Sequence, residues 1–169
     1  MVEFIKDNFV AVLGWILTIF LAIKNFKNEI IKNKLSITVE AMIKLPYEIC
    51  EIMNQTILGK TISPEKISEI LSNVLCYGSK DAVNIAVKMQ TSIYSMEYNQ
   101  DEQIRYEMLA SYSLLITQIK YDLTSEIISP ESWFKLRLTD YSKTRPQIVS
   151  SINKIIDELK LNKKFKVKS

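Results

Sequence analysis

The sequence predicts an all-α protein in which a single N-terminal transmembrane helix is followed by a helical bundle of about five helices. Residues 8–23 carry no charged side chain, as expected for a membrane helix. Beyond residue 34, apolar residues recur at helical spacing, glycine is scarce, and strong hairpin-turn dipeptides are absent. We therefore divide the chain into a membrane anchor with a basic juxtamembrane segment at 1–34, a cytosolic helical bundle at 35–162 and a basic tail at 163–169.

The charge-free segment is long enough to approach the thickness of a bilayer. Its 16 residues would span about 24 Å as an α-helix, and apolar residues on either side can extend it toward the ~30 Å of a hydrocarbon core. A cleaved signal peptide is disfavoured because the start is not basic and no small-residue cleavage site follows. A buried helix of a soluble domain is the other alternative, but few small domains can enclose a helix that is apolar on every face. We expect an uncleaved anchor.

The distribution of lysine predicts the orientation of this anchor. Only Lys6 precedes the charge-free segment, whereas residues 24–34 hold four lysines against the single acid Glu29. The positive-inside rule then places the N-terminus outside and the C-terminal domain in the cytoplasm, with a single pass through the membrane. Cys50 and Cys76 form no disulfide framework, which fits a reducing compartment.

The first part of the bundle is expected to continue as a helix from the membrane to about residue 57. Pro46 lacks a backbone N–H and allows a break in this helix. Several β-branched residues within 35–40 leave a short strand as an open alternative.

The tetrapeptide Ile-Ser-Pro-Glu, which occurs at 62–65 and again at 128–131, predicts two helix starts. In each copy the serine can cap free backbone N–H groups, and the proline suits the first helical position because no N–H is needed there. The first of these helices is predicted over 64–77, with Gly78 as its C-terminal cap. The second copy is predicted to open a shorter helix that ends near residue 140.

Two long amphipathic helices are predicted between the two caps, at 80–98 and 101–125. Because only a short turn at 99–100 joins them, they should pack antiparallel and form the centre of the bundle. The apolar face of the second helix includes Leu115. Pro146 is predicted to open the last helix.

The composition excludes several classes of active site. The chain has no histidine, which removes histidine-based nucleophilic catalysis and the commonest metal ligand. Its three glycines are too far apart for a phosphate-binding loop, and its two cysteines lack the spacing of a zinc site. We expect no catalytic residue, no metal site and no cofactor, and therefore no enzyme. One alternative stays open, in which Asp122 and Asp140 approach as a catalytic carboxylate pair.

A group of aromatic, arginine and acidic residues around the second cap is the predicted surface for a protein partner. Aromatic and arginine side chains carry much of the binding energy in protein interfaces. The residues of this surface are Tyr121, Trp133, Arg137 and Asp140. The alternative is an ordinary helix end, with Trp133 in the core and the charges solvated.

Two further sets of residues follow from the predicted anchor. Small residues repeat every four positions, which allows two such helices to approach closely and form a homo-oligomer; they are Gly14, Thr18 and Ala22. Basic residues at both ends of the chain are expected to contact anionic lipid headgroups; they are Lys24, Lys27, Lys163, Lys164, Lys166 and Lys168. A solvated, frayed terminus is the alternative for the tail. Nucleic acid is not expected as a partner, because the tail has one aromatic residue and no nucleic-acid-binding fold signature.

Two short stretches of the chain resemble a loosely defined group of uncharacterised bacterial proteins that have one N-terminal membrane helix and a helical cytosolic domain. They are Tyr77-Gly78-Ser79 and Lys120-Tyr121-Asp122-Leu123-Thr124 before Ser129-Pro130. The resemblance implies a location in the inner membrane of a bacterial cell, but it implies no activity and transfers no site residue. The residues themselves predict a membrane-anchored, non-enzymatic interaction or scaffold module. The alternative is a membrane-perturbing effector, as in phage defence or toxin systems, that oligomerises through its transmembrane helix.

Overall fold

The computed structural model describes residues 9–60, 62–98 and 101–168, with side chains described from residue 17 onward except at 30–35 and 97–98. This part of the chain contains seven α-helices and no β-strand, so the all-α prediction is confirmed. In chain order the helices are α1 Phe9–Met42, α2 Leu45–Ile57, α3 Pro64–Tyr77, α4 Lys80–Tyr98, α5 Glu102–Thr124, α6 Ser132–Arg137 and α7 Tyr141–Glu158, followed by a 3-10 turn at Lys163–Phe165.

The chain divides into two compact units, Met1–Thr38 and Val39–Ser169. The first contains most of α1, whose side chains at 17–29 are exposed. No helix within the described residues is long and apolar enough to cross a membrane, so the structure gives no support to the span predicted at 8–23. The first residue of that span and the side chains of 9–16 lie outside the described part. The alternative of a strand at 35–40 is wrong, because the helix of α1 continues through these residues.

Most of the predicted helix ends agree with the structure. The helix predicted to run to about residue 57 is interrupted between Met42 and Leu45. Pro46 lies in the first turn of α2, where its missing N–H is not needed. The cap of α3 forms as predicted, since Ser63 Oγ accepts a hydrogen bond from the Lys66 backbone N–H at 3.4 Å. Gly78 ends α3. Helices α4 and α5 match their predicted ranges within one residue, while the turn at 99–100 lies outside the described residues.

Two predicted helix starts are wrong. The backbone N–H of Ser132 donates to the Ser129 carbonyl at 3.0 Å and closes a turn, so that α6 begins at Ser132. Glu131 precedes this helix and makes no capping bond, because its carboxylate binds other donors. Pro146 does not open α7, which already begins at Tyr141. A proline so close to a helix start removes only one backbone hydrogen bond, and this helix accommodates it.

Helix α5 is the central element of the bundle, with α2, α4 and α7 packed against it. We predicted one apolar face for this helix, but every side chain from Met108 to Ile119 is buried. The polar residues within this stretch include Ser111 and Ser113, whose hydroxyls donate to the carbonyls of Glu107 at 2.8 Å and Ala110 at 2.9 Å. Because these hydroxyls bond to their own helix, α5 can be enclosed on all sides without an unpaired donor at either serine.

The directions of the helices around α5 determine which residues share an end of the bundle. A hydrogen bond joins the start of α4 to the end of α5, as expected for the predicted antiparallel pair. Helix α7 runs parallel to α5, since Thr144 lines a cavity with Arg105 near the start of α5. At the other end, the ring of Phe165, just beyond α7, packs edge-on against Tyr121 at a centroid distance of 5.8 Å.

The tail at 163–168 packs back along α7. Two of its apolar side chains are buried, while its lysines are exposed. The Asn153 side chain forms two hydrogen bonds with the backbone of Val167, at 2.9 and 3.0 Å. Arg145 Nη2 donates to the Lys168 carbonyl at 2.7 Å. The alternative of a frayed terminus therefore does not describe these residues.

Candidate functional site

The carboxylate of Glu131 is buried beside α6, with residue 131 only 6 % exposed. It accepts hydrogen bonds from Lys135 Nζ at 2.6 Å, the Tyr141 hydroxyl at 3.0 Å and Arg145 Nε at 3.0 Å. Burial alone would raise the pKa of the Glu131 carboxyl, but the bonds from these three donors outweigh it, and the pKa lies below its ordinary value. The carboxylate is therefore ionised near neutral pH and accepts from donors on α6 and α7 together.

The Glu131 cluster, formed by residues 131, 135, 141 and 145, connects three parts of the chain. Lys135 belongs to α6, and Tyr141 and Arg145 belong to the first turns of α7. Arg145 also binds the carbonyl of Lys168, so the cluster extends to the tail. The result is a short helix fixed in position by charge-assisted hydrogen bonds, which are stronger than neutral ones.

Aromatic packing next to the Glu131 cluster also holds α6 in place. The ring of Phe134 is buried, lies edge-on to Trp133 at 5.4 Å and stacks on Tyr141 at 5.9 Å. The Trp133 indole lies beside the thiol of Cys50 on α2. Its Nε1 is buried and has no acceptor at normal hydrogen-bond geometry among the described residues. The nearby thiol sulfur of Cys50 would be only a weak acceptor. Burial raises the pKa of Cys50, against the opposing effects of Arg137 and Trp133.

The outer side of α6 presents a side chain that the sequence analysis did not select. Leu136 is 83 % exposed. Arg137 beside it is exposed and forms no ion pair within the described part of the chain. Trp133, Leu136 and Arg137 are spaced i, i+3 and i+4, so they lie along one side of the helix. We call these three residues the α6 surface. Helical spacing from Trp133 would have been enough to include Leu136.

The structure brings together only part of the predicted partner surface. Trp133 and Arg137 both lie near Cys50. Asp140 is exposed at the start of α7 and pairs with Lys143 at 3.1 Å. Tyr121 lies at the far end of α5, packed against the tail.

Asp122 and Asp140, the alternative carboxylate pair, lie toward opposite ends of the bundle. Asp122 is near the end of α5, where it accepts hydrogen bonds from Ser79 Oγ at 2.7 Å and Gln118 Nε2 at 2.8 Å. Asp140 precedes α7, which starts beside the beginning of α5. Helix α5 has 23 residues, and at 1.5 Å per residue its ends are roughly 35 Å apart. The described residues also contain no group of three or more acidic or cysteine side chains that could hold a metal ion.

The remaining predicted residues occupy surface positions. The side chains of Lys24, Lys27, Thr18 and Ala22 are exposed on α1, and Gly14 lies in the helical backbone of α1. The tail lysines are also exposed, and one of them, Lys166, pairs with Asp157 at 2.6 Å.

Comparison of this chain with models of known families, with curated proteins and with solved structures finds no match. Function is therefore argued from the geometry of the chain itself.

Proposed function

We propose that this protein is a membrane-anchored, non-enzymatic interaction module that binds a protein partner through the α6 surface. The observation that carries the proposal is the exposure of Leu136, at 83 %, next to the guanidinium of Arg137, which forms no ion pair with any described residue. A large aliphatic side chain left in water gains about 1.5–3 kcal/mol when a partner buries it. Arginine, which lies beside it, is one of the residue types that most often contribute strongly to protein interfaces.

The rigidity of α6 supports this role. A helix of six residues is too short to be stable by itself. Here the Glu131 cluster and the buried ring of Phe134, which stacks on Tyr141, hold it in place. A surface fixed before binding loses less conformational entropy when the partner arrives.

The charges on α6 indicate the chemistry of the partner. Lys135 is paired with Glu131, whereas Arg137 has no acidic neighbour in ion-pair contact among the described residues. The surface therefore favours a segment that offers an apolar pocket for Leu136 and a carboxylate for Arg137. A bidentate pair of that kind would fix the orientation of the partner as well as add affinity.

The membrane anchor rests on the sequence. Residues 8–23 are free of charge and are followed by the lysines of 24–34, and α1 is continuous from Phe9 to Met42. A tether of this kind would raise the local concentration of a partner that is itself near the membrane.

Co-purification of the full chain in a mild detergent tests the binding proposal. The double variant Leu136→Ala/Arg137→Ala should lower recovery of a stoichiometric partner about tenfold or more, because both side chains are exposed and their loss leaves the core intact. Lys164→Ala, an exposed basic position in the tail, is the matched control and should leave recovery unchanged. Equal recovery by the double variant and the wild type would contradict the α6 surface.

Labelling of a native cysteine tests the anchor and its direction. Cys76 is exposed on α3, and Cys50→Ser leaves it as the single thiol of the chain. A maleimide that cannot cross the inner membrane should label Cys76 only after permeabilisation. Labelling in intact cells would reverse the predicted orientation, and recovery of the chain without detergent would refute the anchor.

A further inference from the structure

The tail at 163–168 turns its apolar side chains inward and its lysines outward. Phe165 and Val167 are buried, whereas the lysines before, between and after them are exposed. This alternation is what an extended backbone produces, because its successive side chains point in opposite directions. We call the four exposed lysines of this segment the basic strip; they are Lys163, Lys164, Lys166 and Lys168.

Contacts to the backbone of the tail fix the basic strip to the domain. Asn153 forms two hydrogen bonds with the backbone of Val167, and Arg145 Nη2 donates to the carbonyl of Lys168. The ring of Phe165 packs against Tyr121. Because these contacts involve backbone atoms and a buried ring, they leave the side chains of the lysines free to meet an outside partner.

The strip is a concentration of positive charge with little acid near it. Residues 159–168 contain five lysines and no acidic residue. The two acids that precede this stretch are each paired, Asp157 with Lys166 at 2.6 Å and Glu158 with Lys88 at 3.0 Å. The other three lysines of the strip form no ion pair within the described part of the chain. The strip therefore attracts anions.

We propose that the basic strip docks on the anionic headgroups of a lipid bilayer. The proposal rests on the proposed function in one respect, since the anchor holds a bilayer close to the domain. A bilayer that contains anionic lipid has a negative surface potential, and each lysine that reaches it adds about fivefold to the affinity. The docking involves charge and no insertion, because Phe165 and Val167 are already buried in the domain.

The chemistry of the strip favours lipid headgroups over a nucleic acid or an acidic protein. Proteins that bind single-stranded nucleic acids combine basic grooves with aromatic rings on which the bases stack, and the one aromatic ring of the tail, Phe165, is only 1 % exposed. Protein interfaces are depleted in lysine and depend on buried anchor residues, and the strip offers no exposed apolar side chain. A headgroup layer requires neither feature, because it attracts lysines by charge alone.

Fluorescence quenching on vesicles tests the proposal with the full chain. Ser150 is exposed and lines a cavity of about 370 Å³ with Arg145 and Asn153, which both bind the tail. A fluorophore on Ser150→Cys, in a Cys50→Ser/Cys76→Ser background, therefore lies beside the strip. The vesicles are phosphatidylcholine with a spin-labelled headgroup, with or without about 30 % phosphatidylglycerol. Quenching should be about threefold stronger with phosphatidylglycerol and should fall to the phosphatidylcholine level in about 0.5 M NaCl, which screens exposed charges.

Charge variants assign this contact to the strip. Lys163→Gln/Lys168→Gln keeps the backbone atoms that hold the tail and should lower the ratio of docked to undocked chain about 25-fold. Lys44→Gln/Lys60→Gln removes the same charge from two exposed lysines that flank α2 and should leave quenching unchanged. Equal quenching with and without phosphatidylglycerol, quenching that survives high salt, or equal losses in the two double variants would each overturn the proposal.

The experiment also distinguishes other partners and failure of the anchor. A single-stranded oligonucleotide that binds more tightly than the vesicles do, and that Lys163→Gln/Lys168→Gln releases, would assign the strip to nucleic acid and overturn the proposal. A chain that leaves both kinds of vesicle in high salt has no anchor, even where the strip docks at low salt. A chain that stays on the vesicles, but whose quenching does not depend on phosphatidylglycerol, has an anchor and no docking strip.

Discussion

Glu131→Gln should destabilise the fold much more than its conservative shape suggests. The substitution removes the charge that Lys135 and Arg145 share, and it replaces one acceptor oxygen with an amide nitrogen that cannot accept. Breaking a buried ion pair by removing one partner typically costs about 3–5 kcal/mol. The side chains of Lys135 and Arg145 are 56 % and 34 % exposed, so water recovers part of that cost. We expect a loss of about 2–3 kcal/mol in the free energy of unfolding.

Urea unfolding followed by the fluorescence of Trp133 provides the measurement. The chain has two tryptophans, and Trp15→Phe leaves Trp133, which lies next to the site, as the reporter. Glu126→Gln is the matched control, because Glu126 is exposed and lies 3.7 Å from Lys120. Its cost should stay below about 0.5 kcal/mol, as is usual for surface ion pairs.

The pH dependence of the loss distinguishes lost charge from lost packing. The pKa of Glu131 is lowered in the folded state from its ordinary value of 4.5. Its contribution to stability is therefore complete above that value and disappears as the pH falls through the folded pKa. The difference in the free energy of unfolding between wild type and Glu131→Gln should be smaller at about pH 3 than at about pH 7. A difference that does not change with pH, or one no larger than that of Glu126→Gln, would refute the reasoning.

Three further substitutions test other parts of the fold. Leu115→Ala should cost about 2–5 kcal/mol in the free energy of unfolding because the side chain is fully buried, whereas Leu136→Ala on the surface should change it by less than about 0.5 kcal/mol. Gly59→Ala should cost about 1–2 kcal/mol, since its φ of +65° strains any residue with a Cβ, and an unchanged urea midpoint would contradict this. Asn153→Ala should loosen the tail at Val167 only, because it removes both hydrogen bonds to that residue while Arg145 and the buried Phe165 still hold the tail; faster amide exchange at Val167 is the expected result, and unchanged protection there would contradict it.

The sequence predicts where the helices begin and end better than it predicts which of their residues are buried. Local signals determine the limits of α3, because the Ser63 side chain and the Gly78 backbone N–H both form hydrogen bonds with backbone groups of this helix. The complete burial of α5 could not be predicted in the same way. Its serines give it an amphipathic pattern. The hydroxyls of Ser111 and Ser113, however, donate hydrogen bonds to backbone carbonyls of the same helix, so both side chains can be buried.

The candidate surface shows the same division between local and tertiary information. Trp133 and Arg137 are one turn apart, so their proximity follows from the helix alone. The position of Tyr121 depends on where α5 ends, and the fold places it against the tail, whereas Asp140, just before α7, pairs with Lys143. The exposure of Leu75 depends on which stripe of α3 packs inward, which is a property of its neighbours and not of the sequence of α3.

The two copies of Ile-Ser-Pro-Glu show why an identical local pattern can give two structures. In the first copy the carboxylate of Glu65 stays in solvent near the Ser63 hydroxyl, and the helix starts at the proline. In the second copy the carboxylate of Glu131 is drawn into the interior by three donors, two of which lie on the next helix. A capping bond contributes about 1 kcal/mol, whereas hydrogen bonds to a charged group contribute about 1.5–3 kcal/mol each. The tertiary cluster therefore outweighs the local cap, and the chain turns before α6 begins.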